Sequence, residues 1–262
     1  MSQKSSLLFF GIMLCFWKGE KDMYKKILCS FILVCVLCFY EVNAKENFYQ
    51  NNKEVILTKE EYEFISELYW NGYQDYLTME EYLDLKNRDL FNQKVETRIQ
   101  EIENHSLTRS TEVTTNLRNL KISKVCSNSC TLTLTITFIG TPTVKSYDVL
   151  GVRTENVTIS RIDHAKVIGD GYIKEYDNPQ KFNNGFGYSL LLPNVGNVKA
   201  VVTFKTSKGG NVYGSYQHTM RNTTENISKQ YSINENGFGR VFDFTGTTRN
   251  IYDNAPGVDI AV

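Results

Sequence analysis

The sequence predicts a mainly β protein: an antiparallel β-sandwich, Ig-like or jelly-roll-like with its topology left open, preceded by a short two-helix segment and a cleaved signal peptide. Three observations support this prediction. An apolar run of 13 residues, Ile27–Phe39, lies between a basic start and a cleavage motif. Two nearly identical helix starts follow at Thr58 and Thr78. From residue 116 onward, apolar residues recur at every second position, as they do in strands.

Residues 23–44 have the organisation of a Sec-type signal peptide. Met23–Lys26 is basic, and the short side chains of Val42–Ala44 precede the predicted cleavage between Ala44 and Lys45. A helix of this length spans only about 20 Å, short of the roughly 30 Å core of a bilayer. We therefore expect a secreted protein with no stable membrane insertion after processing. An uncleaved N-terminal signal anchor that tethers the protein to the membrane is the alternative.

The first 22 residues contain a second apolar run, Leu7–Trp17. Two export signals in tandem have no evident use, and codons for Lys18–Glu20 can form a purine-rich bacterial ribosome-binding sequence just before the Met23 codon. We therefore interpret residues 1–22 as an untranslated leader with a misassigned start, and a membrane hairpin is the alternative. This interpretation indicates a bacterial source, and the whole pattern is typical of secreted proteins of Gram-positive bacteria.

The charge pattern divides the mature chain. Residues 45–105 carry 7 basic and 14 acidic side chains, whereas residues 106–262 carry 17 and 12. We expect an acidic helical hairpin segment at 45–105, a Ser/Thr-rich linker at 106–115 and the β-sandwich domain at 116–262. Acidic helices docked on a basic sheet would fit these signs. The chain as a whole carries 29 basic and 29 acidic residues, which argues against nucleic acid as a partner.

The helical segment contains a short internal repeat. Thr58 and Thr78 each precede a Glu by three positions, so each can form a capping box, with a Leu before the cap and a Tyr after it as a staple. The first helix then presents an aromatic stripe, and Gly72 is expected to weaken or end this helix. With Trp70 beside it, the stripe is either a ligand platform or the face that packs on the body. Residues 92–105 also resemble a helix, through Ile99 and Ile102.

The clearest strand alternates threonines with apolar residues between Thr131 and Phe138. Residues 198–220 form the best hairpin candidate, around a Gly-Gly turn. The remaining predicted strands are Val144–Arg153, Asn156–Ile162, Tyr172–Tyr176, Tyr188–Leu192 and Arg240–Thr245. No helix-length period interrupts residues 116–262, so a parallel α/β sheet is not expected.

Few residues suggest chemistry. Cys126 and Cys130 survive processing and predict one small-loop disulfide. Asn-Gly-Phe-Gly occurs twice, and its phenylalanines, Phe186 and Phe238, are either core residues or, with Trp70, a binding rim.

Motifs for zinc proteases, serine hydrolases and nucleotide binding are absent from the sequence, and we expect no cofactor and no metal. If a catalytic group exists, the candidates are Asp163, His164, Asp170 and Glu175, which cluster near a predicted turn. Solvated loop residues are the alternative explanation.

Three functions remain open at this point. The leading hypothesis is a secreted, non-catalytic binding or adhesion protein with an extracellular glycan or protein ligand. The second is a secreted hydrolase of glycan or peptide, which would require a concave pocket with two carboxylates, or a carboxylate and a histidine. The third is a self-assembling surface protein. Enzymatic activity is therefore undecided, and the absence of catalytic motifs favours a protein that is not an enzyme.

The export hypothesis predicts the N-terminus of the mature protein. Because a signal peptidase would cut after Ala44, N-terminal sequencing of the protein recovered from an expressing bacterium should begin at Lys45. Recovery of a chain that retains Met1 would contradict both the leader and the signal peptide.

Overall fold

The computed structural model describes residues 48–105, 115–143, 146–220, 231–234, 241–244, 252–253 and 255–262. Phe48–Val262 belong to one compact unit. The predicted leader, signal peptide and cleavage site between Ala44 and Lys45 lie outside the described residues, as do Phe238 and most of the predicted linker. Among the described residues, no helix is both long enough and apolar enough to cross a membrane.

The protein is mainly β, with antiparallel sheets and two α-helices. The helices are α1 (Lys59–Leu68) and α2 (Met79–Asn87), and short 3-10 turns follow at Tyr73–Asp75 and Leu90–Asn92. The strands are β1 (Tyr49–Gln50), β2 (Ile56–Leu57), β3 (Glu96–His105), β4 (Thr115–Cys126), β5 (Cys130–Phe138), β6 (Asp148–Glu155), β7 (Ile159–Gly169), β8 (Tyr172–Tyr176), β9 (Gln180–Phe182), β10 (Gly185–Leu190), β11 (Lys199–Thr206), β12 (Asn211–Gln217), β13 (Tyr231–Ile233), β14 (Phe242–Phe244) and β15 (Val258–Ala261).

Both helices begin as the sequence predicts. Thr58 and Thr78 are the N-caps, and each forms a complete capping box with the Glu three residues later. These bonds satisfy backbone amides that the first turn of a helix leaves without partners. α1 ends at Leu68 with Tyr69 as its C-cap, before the predicted stop at Gly72, whose left-handed φ of 102° instead begins the 3-10 turn at Tyr73–Asp75.

Two large sheets form the body. The six-stranded sheet has the order β3-β4-β5-β11-β7-β8, and the five-stranded sheet has the order β15-β12-β6-β10-β9. One hydrophobic cluster takes buried side chains from both sheets, among them Leu134 and Phe204 of the first and Phe186 and Tyr216 of the second. Apolar side chains at alternate positions of the central strands therefore meet between the sheets.

The outer faces of both sheets are also covered. A second hydrophobic cluster joins the helices to Val125, Ile168 and Val201 of the six-stranded sheet. A third joins Phe242 and Phe244 of the β13-β14 pair to Val149 and Tyr213 of the five-stranded sheet. The strands at the centre are consequently buried on both faces, as the pattern of β5 shows.

Two sequence predictions are wrong. Residues 96–105, expected in the helical segment, form strand β3, which pairs with β4 along its whole length. The apolar spacing of Ile99 and Ile102 fits a helix equally well, and only pairing with β4 decides between them.

The predicted hairpin at 198–220 is the second error. β11 pairs with β5 and β7, whereas β12 pairs with β6 and β15 in the other sheet. Both strands are largely buried, and each has a neighbouring strand on both sides within its own sheet. The Gly-Gly turn therefore connects the two sheets instead of joining two paired strands. Cys126 and Cys130 face each other where β4 meets β5, at disulfide distance, as predicted.

The buried threonines of β5 yield a test of how the helices are held. The Thr133 hydroxyl donates to the Leu68 carbonyl at 2.6 Å, at the end of α1, whereas the buried Thr135 hydroxyl has no partner among the described residues. Thr133→Val should lower the unfolding free energy by about 1–3 kcal/mol because it leaves a buried carbonyl unpaired. Thr135→Val should be neutral or stabilising.

Urea unfolding of the two variants measures this difference. Thr137→Val, at a half-exposed position on the same face of β5, is the control. Equal losses for Thr133→Val and Thr135→Val would show that the hydroxyl of Thr133 does not hold α1.

Candidate functional site

Two clefts meet at strand β7. The larger, of about 410 Å³, lies on the helix side of the six-stranded sheet between β7 and the start of α2. The smaller, of about 250 Å³, lies on the side of the five-stranded sheet, against Tyr188 and Lys181. Both are lined by Ile162, Asp163 and His164. These three residues therefore form the wall that the two clefts share.

A break in the strand register produces this wall. Val202 of β11 pairs with Ala165, but Phe204 pairs with Ile162, so Asp163 and His164 together oppose the single residue Thr203. Such a β-bulge bends the strand and re-aims the side chains of its extra residue. Two consecutive polar side chains consequently line both clefts.

Helix α2 closes the larger cleft through ion pairs with the sheet. Lys166 Nζ lies 2.7 Å from Glu81 Oε1, and Lys205 Nζ lies 2.5 Å from Asp84 Oδ1. The exposed guanidinium of Arg161 bridges Glu80 of α2, at 3.2 Å, and Asp163 of its own strand, at 2.5 Å. An acidic helix is thus docked on basic strands, as the charge pattern of the sequence suggested.

Glu81 is the most heavily bonded of these carboxylates. Its Oε1 accepts from Lys166 and from the Tyr73 hydroxyl, and its Oε2 accepts from the backbone amide and hydroxyl of Thr78. Burial acts to raise the pKa of Glu81, but the charge of Lys166 and these hydrogen bonds outweigh it. The pKa of Glu81 therefore lies below its ordinary value, and the group stays ionised.

Asp163 has the opposite behaviour. Burial raises the pKa of Asp163, and the neighbouring Arg161 offsets only part of the rise. The cleft therefore holds one carboxylate with a raised pKa and another with a lowered one. Catalytic acid–base pairs share this feature, although ion-pair networks that only stabilise a fold produce it too.

Three of the four predicted candidates lie at this site. Asp163, His164 and Glu175 line the larger cleft, and the side chains of His164 and Glu175 are exposed without a hydrogen-bond or ion-pair partner among the described residues. Asp170 does not belong there. It lies in the turn before β8, where both its carboxylate oxygens accept from the side chain of Asn197, so its role is to hold that turn.

Phe186 and Trp70 are the residues of the predicted binding rim that the structure describes. Phe186 is fully buried between the two large sheets, in edge-on contact with Phe204, so it is a core residue. Trp70 is half-buried, with its ring edge-on to Tyr73 and the Lys199 ammonium 5.8 Å from its centre. The aromatic stripe that it accompanies packs on the sheet, since Tyr69 and Tyr73 are each 1% exposed.

A second polar cluster lies apart from the residues that line the clefts. Asp148 accepts from His218 Nδ1 at 2.9 Å and from the backbone amide of Thr219 at 2.8 Å, and the Arg118 guanidinium contacts Asp253 at 2.5 Å. All these side chains are buried, and neither cleft reaches them. This His–Asp contact therefore joins β6, β12 and the segment before β15 and offers no surface to a ligand.

Sequence reasoning missed the wall formed by α2 and the bases that face it. Glu80, Glu81, Asp84, Arg161 and Lys166 lie far apart in the chain, and only the split between an acidic and a basic segment hinted that they meet. Among the described residues, no group of three or more His, Cys, Asp or Glu side chains is arranged to hold a metal ion.

Comparisons with known proteins do not identify the chain. No protein-family model and no curated protein matches it. Among solved structures, the enzymatically active domain of tailspike protein 4 of bacteriophage CBA120 is similar over 49% of this chain and 19% of that chain, with 14% sequence identity and a TM-score of 0.22. A similarity of this size supports no conclusion about fold or function.

The Lys166–Glu81 contact predicts a pH dependence of stability. Glu81→Gln leaves the largely buried Lys166 without a counter-charge and should cost about 3 kcal/mol at pH 6. Because the folded-state pKa of Glu81 is lowered, its stabilisation is present above the unfolded pKa and disappears as the pH falls through the folded one. The difference between wild type and variant should therefore shrink at about pH 3.

Urea midpoints at the two pH values test this expectation. Glu63→Gln removes an exposed carboxylate of α1 and should change stability by less than about 0.5 kcal/mol at either pH. A Glu81→Gln difference that is constant with pH would refute the assignment of an ionised Glu81.

Proposed function

We propose that this chain is an exported, non-catalytic binding protein whose ligand site is formed by the two clefts at the β7 bulge. On the same proposal, the two large sheets form a sandwich of Ig-like or jelly-roll-like type that presents this site outside the cell. The ligand is an extracellular glycan or protein. The observation that carries the proposal is that two clefts share one wall, and that this wall is a register break with two polar side chains.

The state of the side chains at the clefts supports binding. Most of the carboxylates are held by a base from the sheet, as Glu81 is by Lys166, so they fix the shape of the cleft. His164 and Glu175 are exposed without such partners among the described residues, which leaves their hydrogen-bonding groups available to a ligand. Specificity in concave sites comes from a few polar groups of this kind.

A hydrolase of glycan or peptide is the second candidate. The observation in its favour is the opposite direction of the pKa shifts of Asp163 and Glu81 within one cleft. Against it, Glu81 is occupied by four hydrogen bonds that include the cap of α2, and a base or nucleophile needs a free lone pair toward its substrate. The binding function therefore fits the arrangement better.

The test is a binding screen with variants of the shared wall. The full chain, purified in the form that an expressing bacterium produces, is applied to a glycan array and to a peptide array. A ligand of the clefts should bind His164→Ala at least threefold more weakly than wild type, because an exposed hydrogen-bonding ring is lost without loss of stability. Lys94→Ala, at an exposed position on another part of the surface, should bind as wild type does.

Three outcomes contradict the proposal. If both arrays stay blank, or if every ligand binds His164→Ala and wild type equally, the clefts are not the binding site. If dye-labelled glycan or peptide substrates are hydrolysed by wild type and not by Asp163→Asn, the second candidate replaces the first.

A further inference from the structure

The edge of strand β7 is open where the two clefts meet. On one side, β7 pairs with β11 from Ile159 to Ile168. On the other side, β8 pairs only with Ala165–Gly169. No described residue forms a strand beside the first half of β7, Ile159–His164, on that outer side.

Among the described residues, the side chain of Tyr188 reaches this open edge. The Tyr188 hydroxyl donates to the Asp163 carbonyl at 2.7 Å and so occupies the bulge. The outward backbone groups of Ser160–Ile162 have no partner among the described residues. Unpaired groups at a sheet edge form a template for another strand, in line with β8.

The clefts lie on the two faces of that vacant strand position. The larger is on the helix side, bounded by Glu80 and Glu175, and the smaller is on the side of the five-stranded sheet, bounded by Lys181 and Tyr188. Side chains of an extended strand point alternately to opposite faces. A strand added here would consequently place successive side chains in one cleft and then in the other.

We infer that this edge binds an extended peptide by strand addition, with Lys or Arg side chains in the cleft beside α2. This inference rests on the proposed binding function and names its ligand class. Main-chain hydrogen bonds give affinity in this mode of recognition, and pockets for alternate side chains give specificity.

Charge complementarity selects the basic side chain. Five carboxylates line the larger cleft, those of Glu80, Glu81, Asp84, Asp163 and Glu175, against three bases: Arg161 and Lys166 of the lining, and Lys205, which pairs with Asp84. Glu175 lies at the end of β8 that adjoins the vacant position, and it has no ion-pair partner among the described residues. A peptide ammonium or guanidinium group would supply that partner.

The test uses a synthetic heptapeptide of alternating threonine and lysine, titrated against the full chain as the expressing bacterium produces it. N-methylation of two consecutive central residues removes a donor from each edge of the peptide and leaves its charge unchanged. Affinity should fall at least tenfold, because pairing with β7 is then lost in either strand direction. N-methylation of the two terminal residues should change it less than threefold.

Variants of the protein test the charge contact. Glu175→Gln should weaken binding of the lysine peptide about two- to fivefold, as expected for a partly exposed ion pair. The matched control is Glu101→Gln, which removes an exposed carboxylate from β3, the opposite edge of the same sheet, and should leave the affinity unchanged. A heptapeptide of threonine and glutamate should not bind.

Several results would overturn the inference. Equal affinity of the unmethylated and centrally methylated peptides means attraction by charge alone, without strand addition. A protein that sediments as a dimer and binds no peptide means that a second copy fills the edge. If peptides fail while a glycan binds and His164→Ala weakens it, the proposed function stands and only the peptide assignment is wrong.

Discussion

The fold depends on covering the outer face of the six-stranded sheet. That face is only partly apolar: β5 presents Thr131 and Thr133 there, and Lys166 and Lys205 come from β7 and β11. Burying such groups is favourable only if each finds a partner. The helical segment supplies these partners: the Arg88 guanidinium for Thr131, the Leu68 carbonyl for Thr133, and acidic side chains of α2 for the two lysines. The polar side chains of the helices and those of the sheet therefore satisfy one another.

This requirement also explains where the clefts lie. The apolar contacts of the helices reach β4, β7 and β11, whereas near the bulge α2 and β7 are joined by ion pairs at the ends of long side chains, such as Glu81 with Lys166. The bulge at Asp163 and His164 falls at the same place. A gap therefore remains between helix and strand, and polar groups line it.

Local patterns were sufficient for the parts of the fold that depend on neighbours in sequence. The capping boxes at Thr58 and Thr78 and the cysteine pair all follow from residues a few positions apart. Pairing between strands was not predictable in this way. β3 is an edge strand that resembled a helix through the spacing of Ile99 and Ile102. β11 and β12 resembled a hairpin because double burial gives a strand no polar face by which to recognise its partner.

The candidate site was predictable only in part, for the same reason. Asp163, His164 and Glu175 drew attention as polar residues close to one turn, whereas the carboxylates of α2 come from about eighty residues earlier and reach the cleft only through docking. Phe186 was a candidate rim residue and is a core residue. The sequence around a phenylalanine between glycines does not distinguish these two positions, because the sheet that covers the ring comes from distant parts of the chain.

An open edge in a β-rich protein normally invites aggregation, and the features around β7 limit that risk. Two register shifts interrupt the strand between Ile159 and Ala165, and exposed charges such as Arg161 flank it. A long flat strand from another copy fits such an edge poorly. The short peptide proposed above needs only the few backbone groups of Ser160–Ile162 and would gain the rest of its contacts in the clefts. The bulges therefore exclude non-specific sheet extension and preserve the geometry that a selective partner requires.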